Sequence, residues 1–190
     1  MRRLFGRNRS PRPFEFRCSC CGELHRGSPS FGMKYPPYYF NVPEEERAER
    51  VEVNADLFTA YPPEGSKDQQ TVYAIRATLD VPIHGAPDPF NWGIWVSQSE
   101  ESFERYVDTF SDDQTGLSSF GWVPVSFVPY RRESAGEQIE HLAADVEWQA
   151  PGARPVVILR EADHPFFEDQ HRGISWNRAI EIAEIVMHGG

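Results

Sequence analysis

The sequence predicts an α+β fold: a single domain with a mainly antiparallel sheet, two or three helices packed on it and an N-terminal cysteine-containing loop. Two observations support this fold class. The 190 residues suit one compact domain, which can bury about 70% of its unfolded surface. Segments rich in β-branched and aromatic residues follow one another along the chain, and the longer helical patterns begin only at Ser99.

The N-terminal segment differs in composition from the rest of the chain. Residues 1–17 hold six arginines and one glutamate, whereas the whole chain has a net charge of −10. We therefore expect residues 1–13 to form a basic, disordered tail and residues 14–190 to form the α+β domain. Aromatic residues make up 13% of the chain and supply large side chains for the core.

The first half of the domain predicts a loop, a short helix and two strands. Proline and glycine are frequent in residues 28–40, which favours an ordered loop held by its aromatic side chains. Pro43 followed by three glutamates is typical of the first turn of a helix, which we expect to end near Arg50. Residues 51–60 and 71–83 have strand patterns, and the turn-forming residues between them favour a hairpin with a long loop.

The second half predicts further strands and two helices. The strand at residues 90–97 places Trp92 and Trp95 on opposite faces. Ser99 and Ser175 fit the N-caps of amphipathic helices, the second of which runs from Trp176 to His188. Three more strand patterns occur at residues 119–128, 142–148 and 155–160. Pro124 within the first of these and Pro129 directly after it restrict it to an edge or a bulged strand.

All three cysteines fall within the stretch F-R-C-S-C-C-G-E-L-H, residues 16–25. Cys18 and Cys21 form a C-x-x-C pair and His25 follows four residues later, so a turn through Gly22 could bring three zinc ligands together. The second ligand pair of a usual zinc site is absent, so a distant residue would have to complete the tetrahedron. The candidates for this fourth ligand are His164, His171, His141 and Asp56.

Two other interpretations of the cysteines stay open. A thioredoxin-like redox pair needs its motif at the start of a helix, and the glycines around this stretch disfavour a helix. Free cysteine also packs as a small hydrophobe. We favour zinc as the cofactor, because structural disulfides are rare in the cytoplasm, where we expect the protein to be.

A second group of polar residues follows Asp163. With Pro165 at the first helical position, His164, Glu168 and His171 would lie on one face of a short helix. Such a face could bind a metal ion or perform acid–base chemistry. The simpler interpretation, which we favour, is a capped helix with an exposed polar face.

Tryptophans in the predicted strands are candidates for a binding groove. Trp92, Trp95 and Trp122 each lie close to a glycine, where a bulge or a close approach of the backbone is expected. Aromatic residues in strands more often belong to the core.

Charge and hydropathy restrict the partners. No run approaches the roughly 20 apolar residues of a membrane span, and the N-terminus lacks the apolar segment of a secretory signal, so we expect a cytoplasmic protein without membrane contact. The acidic body favours a basic protein partner and disfavours nucleic acid, apart from weak contact by the basic tail. The motifs G-x-S-x-G, G-x-x-x-x-G-K-S/T and H-E-x-x-H are absent from the sequence.

A series of short motifs extends over nearly the whole domain. In chain order they are F-x-C-x-x-C-G-x-x-H from Phe16, P-P-Y-Y from Pro36, E-E-R-x-x-R from Glu45, F-x-W-G-I-W-V-S from Phe90, F-G-W-V-P from Phe120, R-P from Arg154, D-H-P from Asp163 and G-I-S from Gly173. Together they resemble the bacterial family called domain of unknown function 2199. The resemblance implies a single-domain bacterial protein and brings no assigned activity.

Three classes of function remain. The first is a non-catalytic binding protein with a structural zinc knuckle and a basic protein as partner. The second is a metal-dependent hydrolase that uses His164, Glu168 and His171. The third is a thiol redox or metal-handling protein. We favour the first.

Overall fold

The computed structural model describes residues 12–67, 70–132 and 138–189. The expected basic tail falls mainly on residues 1–11, which lie outside the described residues. Arg12 is the first described residue, and its Cζ lies 4.4 Å from the centroid of the Trp176 ring. The described chain therefore contacts the domain from its first residue.

The described residues form an α+β domain of ten strands and five helices. The strands are β1 (Glu15–Arg17), β2 (Leu24–Arg26), β3 (Ser30–Gly32), β4 (Val51–Val53), β5 (Leu57–Ala60), β6 (Val72–Val81), β7 (Phe90–Gln98), β8 (Ser118–Val125), β9 (Glu140–Glu147) and β10 (Val156–Leu159). The helices are α1 (Pro37–Phe40), α2 (Arg47–Arg50), α3 (Glu100–Asp108), α4 (Pro165–Arg172) and α5 (Trp176–His188), with 3-10 turns at Glu44–Glu46 and Val128–Tyr130.

The predicted α+β class is confirmed, but the helix count was too low. Only α3, α4 and α5 are longer than four residues. The segment expected to be a loop contains β3 and the single turn α1, which Pro37 starts at its first helical position. The caps were predicted correctly: Ser99 Oγ accepts the N–H of Ser102 at 3.2 Å, and Ser175 Oγ accepts the N–H of Arg178 at 3.2 Å.

Eight strands form one sheet: six follow the order β3-β7-β6-β10-β9-β8, while β5 pairs with β6 off this order and β4 pairs with β5. β1 and β2 form a separate hairpin. The pairs β3–β7 and β6–β10 are parallel, and the other ladders are antiparallel. β5 pairs with β6 as the predicted hairpin requires. The strand expected at residues 51–60 is interrupted, because Asn54 Oδ1 accepts the N–H groups of Asp56 and Leu57, both at 2.8 Å, and turns the chain.

β8 is the last strand of the sheet order, as its prolines predicted. The sheet curls so that β8 returns against the end of β7, where the Trp122 N–H donates to Ser97 Oγ at 3.1 Å. Gly121 permits this approach, because a Cβ atom there would overlap the Ser97 carbonyl oxygen. β8, at one end of the sheet order, is thereby in contact with β7, the strand next to the other end.

The sheet separates two cores. Trp92 lies on one face of β7 in the main core, with Cys18, Phe166 and side chains of α5. Trp95 lies on the other face in a smaller core with Phe58. The alternation predicted for Trp92 and Trp95 is thus confirmed.

In the part of the chain that the structure describes, no helix has both the length and the apolar character needed to cross a bilayer. A cytoplasmic location stays a prediction.

Candidate metal centre

The hairpin β1–β2 carries the cysteine loop, residues 18–23, which we call the knuckle. Its flanking residues Phe16 and His25 are paired across the hairpin, and their rings stack with centroids 5.1 Å apart. Within the knuckle the Gly22 N–H donates to the Cys18 carbonyl at 3.0 Å. Gly22 has a φ of 75°, a conformation that glycine adopts readily. This turn returns the chain so that Cys18 and Cys21 lie close together.

Helix α5 brings a histidine from the other end of the chain to the knuckle. Its buried side is formed by Ala179, Ile182 and Ala183, which hold the helix on the main core. Near the start of the helix, the Trp176 ring packs on Phe14 with centroids 4.6 Å apart. His188 is the last helical residue and lies beside the knuckle.

Cys18, Cys21 and His188 form a three-ligand group. Their ligand atoms all lie within 4.8 Å of one another. The Cys18 Sγ is 3.1 Å from His188 Nε2. Cys18 is buried, whereas Cys21 and His188 are exposed, so one side of the group faces the core and the other faces solvent. Among the described residues, this is the one group of three or more His, Cys, Asp or Glu side chains that could hold a metal ion.

The environment of Cys18 stabilises a thiolate. Burial opposes the charged form, but hydrogen bonds from the backbone N–H groups of Cys21 and Cys20 outweigh it, so the pKa of the Cys18 thiol is lowered. The Cys20 N–H lies 3.4 Å from the Cys18 sulfur. A thiolate is the form of cysteine that binds metal.

Glu184 anchors the knuckle to α5 one turn before His188. Its Oε1 accepts the Ser19 N–H at 2.5 Å, and this hydrogen bond lowers the pKa of the Glu184 carboxyl. The contact fixes the position of the knuckle along the axis of α5. It therefore also fixes the position of Cys18 relative to His188.

His25 lies at the edge of the group. Its Nε2 is 3.7 Å from the Cys21 sulfur. Zinc with sulfur ligands at about 2.3 Å and nitrogen ligands at about 2.0 Å in a tetrahedron separates a sulfur from a nitrogen by roughly 3.6 Å. The Cys21–His25 distance is close to that value, whereas the Cys18–His188 distance of 3.1 Å is shorter. The two thiols and the imidazole of the three-ligand group are donors that zinc binds, and His25 lies outside that group.

Two of the four candidates for the fourth ligand, His164 and His171, lie at the N-cap and in the last turn of α4, and neither belongs to the three-ligand group. His188 of α5 joins the two cysteines instead. His164 is buried at the N-cap of α4, where its Nδ1 accepts the Phe166 N–H at 3.1 Å. His171 Nδ1 lies 3.1 Å from the Phe167 carbonyl oxygen of its own helix.

The other two candidates for the fourth ligand are also engaged elsewhere. His141 stacks on Tyr38 with ring centroids 5.9 Å apart. Asp56 accepts a hydrogen bond from Arg154 Nε at 2.8 Å. Neither belongs to the three-ligand group.

The polar face proposed for α4 does not converge into a site. Glu168 pairs with Arg172 at 2.8 Å, while His164 is buried 3.7 Å from Glu140 Oε2. Among the described residues, the ligand atoms of His164, Glu168 and His171 do not converge into a group that could hold a metal ion. The capped-helix interpretation fits the position of these side chains.

The tryptophans expected to line a groove are divided between two cores. Trp92 is 0% exposed and Trp95 is 1% exposed, on opposite faces of β7, so they cannot line one open groove. Trp122 is 45% exposed on the outer face of β8, beside Phe120. Only Trp122 of the three is available to a ligand.

The knuckle and the strands β2 to β10 fall within one family match. The family model that matches describes an uncharacterized protein conserved in bacteria (DUF2199), and the match spans residues 17–174. The chain belongs to this DUF2199 family. Within the match lie Cys18, Cys21 and His25, whereas His188 lies beyond its end. No curated protein and no solved structure matches the chain.

Proposed function

We propose that this DUF2199 protein is a non-catalytic binding protein in which a zinc ion, held by Cys18, Cys21 and His188, fixes the knuckle to the C-terminal helix. The supporting observation is the convergence of the three ligand atoms within 4.8 Å. Two ligands come from a tight turn and the third from the opposite end of the chain. An ion at this place acts as a cross-link, which suits a structural role.

His25 supports the structural role further. With His25 as fourth ligand, the zinc ion is closed by protein side chains and keeps no position for a substrate or an activated water. Its ring is already held by the stack on Phe16, and its Nε2 is 3.7 Å from Cys21 Sγ. His25 lies outside the three-ligand group, so its side chain has to move toward the ion to complete the four-ligand site.

The partner that we propose is a basic protein. The chain carries a net charge of −10, which attracts basic surfaces. Phe120 and Trp122 are 40% and 45% exposed on the outer face of β8. Asp145 lies opposite Phe120 and is paired with Arg160, whose guanidinium lies over the Phe120 ring. Exposed aromatic side chains, tryptophan above all, are frequent in surfaces that bind proteins.

Elemental analysis tests the metal. The chain is purified without a polyhistidine tag or chelator, and we expect about one zinc ion per chain. The Cys18→Ser/Cys21→Ser double variant and the His188→Gln variant should lose it. Cys20→Ser is the matched control, because Cys20 lies in the same turn but outside the ligand group, and it should retain the metal.

Two outcomes would change the assignment. Wild-type protein without metal would leave the knuckle as a packed turn. Full zinc retention in His25→Gln, with water exchange at the ion, would mean an open coordination position, and the metal-dependent hydrolase class would then gain support.

Affinity capture tests the partner. Immobilised wild-type protein and the Phe120→Ser/Trp122→Ser variant are exposed to the same bacterial lysate at low and high salt. We expect one or more basic proteins to be retained by the wild type, lost in the variant and released by salt. Equal retention by both would contradict the proposed surface.

A further inference from the structure

A second polar site lies on the outer face of β6, away from the knuckle. It is a pocket between the end of β3, the β4–β5 turn and the loop before β10. Its charged lining consists of Lys34, Arg76 and Arg154, and Tyr35 and Asn54 complete the rim. In a chain whose net charge is −10, a pocket with three cations is a local reversal of charge.

The backbone next to Arg76 leaves space for its guanidinium group. Arg76 lies opposite Trp95 on the face of the sheet that carries the smaller core. Gly32 and Gly93 are paired across the adjacent ladder, and both face the guanidinium. A Cβ atom at Gly32 would lie 2.7 Å from the Arg76 terminal nitrogen Nη2. The two glycines thus make room for a guanidinium at this point.

The charge of Arg76 has no carboxylate of its own among the described residues. One terminal nitrogen donates to the Met33 carbonyl oxygen, a neutral acceptor. Its Nε is buried and finds no hydrogen-bond partner in the described structure. Burial lowers the pKa of Arg76, and repulsion from Arg154 lowers it further, while the charge of Asp56 partly offsets both. Arg76 is half-buried, and its Cζ lies 5.4 Å from the centroid of the Trp95 ring, which offsets part of the cost. A half-buried cation without a carboxylate partner is still costly, and an anionic ligand would compensate it.

The neighbouring charges do not balance the pocket. Arg154 uses the nearby carboxylate, because its Nε donates to Asp56 Oδ1 at 2.8 Å. Lys34 is exposed, and its Nζ lies 4.9 Å from the centroid of the Tyr35 ring. Three cations thus face one carboxylate, which leaves an excess of two positive charges.

We propose that this pocket binds a dianionic oxyanion, namely inorganic phosphate or the phosphate group of a monoester. Two negative charges match the excess on Lys34, Arg76 and Arg154. Guanidinium groups bind phosphate oxygens with paired, charge-assisted hydrogen bonds. A ligand with a single carboxylate would leave one cation of the pocket uncompensated. We therefore consider phosphate the better match. The site is separate from the metal centre and independent of it.

Calorimetric titration with inorganic phosphate tests the proposal. Phosphate replaces chloride at constant ionic strength and at a pH where the dianion dominates, so that general screening is unchanged. We expect saturable binding with one site per chain. Lys34→Gln and Arg154→Gln should each weaken binding, by about threefold and about tenfold, because each removes a charge-assisted contact.

Arg172→Gln is the matched control. Arg172 is a highly exposed arginine of α4, which packs on the main-core face of the sheet through Phe166. The variant removes the same charge from the chain as Arg154→Gln and should bind phosphate like the wild type. If Arg172→Gln weakened binding as much as Arg154→Gln did, the effect would be one of net charge and the pocket would be wrong.

Further outcomes would overturn the proposal or distinguish between the two ligands. Absence of saturable phosphate binding, or wild-type affinity in both pocket variants, would overturn the proposal. Lys34 is exposed, so Lys34→Gln tests the pocket without risk to folding. Phenyl phosphate serves as a second probe: tighter binding than inorganic phosphate indicates a monoester as the ligand, and equal or weaker binding indicates free phosphate.

Discussion

The sulfur of Cys18 lies 3.1 Å from Nε2 of His188, although 170 positions separate the two residues in the chain. Glu184, one helical turn earlier, holds the next residue of the knuckle by its backbone N–H. The start and the end of the domain are therefore joined at one point. A metal ion at this point closes a loop that contains nearly the whole domain, and closure of a long loop restricts the unfolded chain strongly.

Removal of the metal should destabilise the fold. We expect excess EDTA to lower the melting temperature of the wild type by about 5 °C or more, because the ion binds the folded chain far better than the unfolded one. Thermal unfolding followed by circular dichroism, with zinc added back, measures the effect. The Cys18→Ser/Cys21→Ser variant should have a melting temperature close to that of the EDTA-treated wild type, and EDTA should not change it. Cys20→Ser should behave like the wild type.

A zinc-loaded wild type whose melting temperature does not change with EDTA, although the metal is shown to be removed, would contradict the structural role. The loss of Cys18 would then have to be examined for an effect on metal transfer or thiol chemistry instead.

Buried His164 should make stability depend on pH. Burial lowers its pKa below the ordinary 6.5, and the charge of Glu140 only partly opposes this. Between its lowered pKa and 6.5, the folded chain binds fewer protons at this site than the unfolded chain. The contribution of His164 to the free energy of unfolding is therefore present above pH 6.5 and declines as the pH falls through this window.

The variant His164→Asn isolates this contribution, since asparagine can still cap α4. We expect its free energy of unfolding, measured with urea from about pH 7 to about pH 5, to depend less on pH than that of the wild type. The two slopes against pH should differ by the equivalent of at most one bound proton. His171→Asn, an exposed position in the same helix, is the control and should keep the wild-type slope. Identical slopes in His164→Asn and wild type would show that His164 does not titrate differently on unfolding.

Gly121→Ala should be the most damaging small substitution in β8. The added Cβ would overlap the Ser97 carbonyl oxygen and lie 2.6 Å from a methyl group of Val96, so β8 would have to move away from β7. We expect a loss of about 3 kcal/mol in the free energy of unfolding. Gly65→Ala is the control: its φ of 78° disfavours alanine, but no atom lies within 4 Å of the new Cβ, so about 1 kcal/mol is expected. Equal losses in urea denaturation would mean that β7 and β8 are not in close contact.

Local chemistry explains which features could be predicted from the sequence. The caps Ser99 and Ser175 and the start of α4 at Pro165 depend on a few neighbouring residues, and all were predicted. The Cys18–Cys21 pair was found for the same reason, since its spacing is local. The short turn α1 was missed because proline-rich segments favour loops as readily as single helical turns.

Long-range packing explains what could not be predicted. His188 becomes a ligand candidate only because α5 packs along the core and ends at the knuckle, and nothing near residue 188 in the sequence indicates this. The pocket around Arg76 likewise depends on the register of β3 with β7, which brings Gly32 opposite Gly93. A parallel pairing of strands so far apart in sequence has no local signal.

Truncation of Trp95 should destabilise the fold far more than truncation of Trp122. Trp95 is fully buried against Phe58, and its indole N–H donates to the Met33 carbonyl at 3.2 Å, so Trp95→Ala removes both packing and a hydrogen bond. We expect a loss of about 3 to 5 kcal/mol in the free energy of unfolding. Trp122→Ala should cost less than about 1 kcal/mol, because its side chain is 45% exposed.

Urea denaturation of both variants and the wild type measures this difference in stability. Affinity capture then measures whether each variant still binds the proposed partner. Trp122→Ala should unfold almost like the wild type and yet lose the proposed protein partner, since an exposed aromatic side chain contributes more to binding than to folding. Trp95→Phe, which keeps an aromatic ring in the core, should keep the partner despite a measurable loss of stability. If Trp122→Ala proved as destabilising as Trp95→Ala, the outer face of β8 would be part of the core and could not serve as the binding surface.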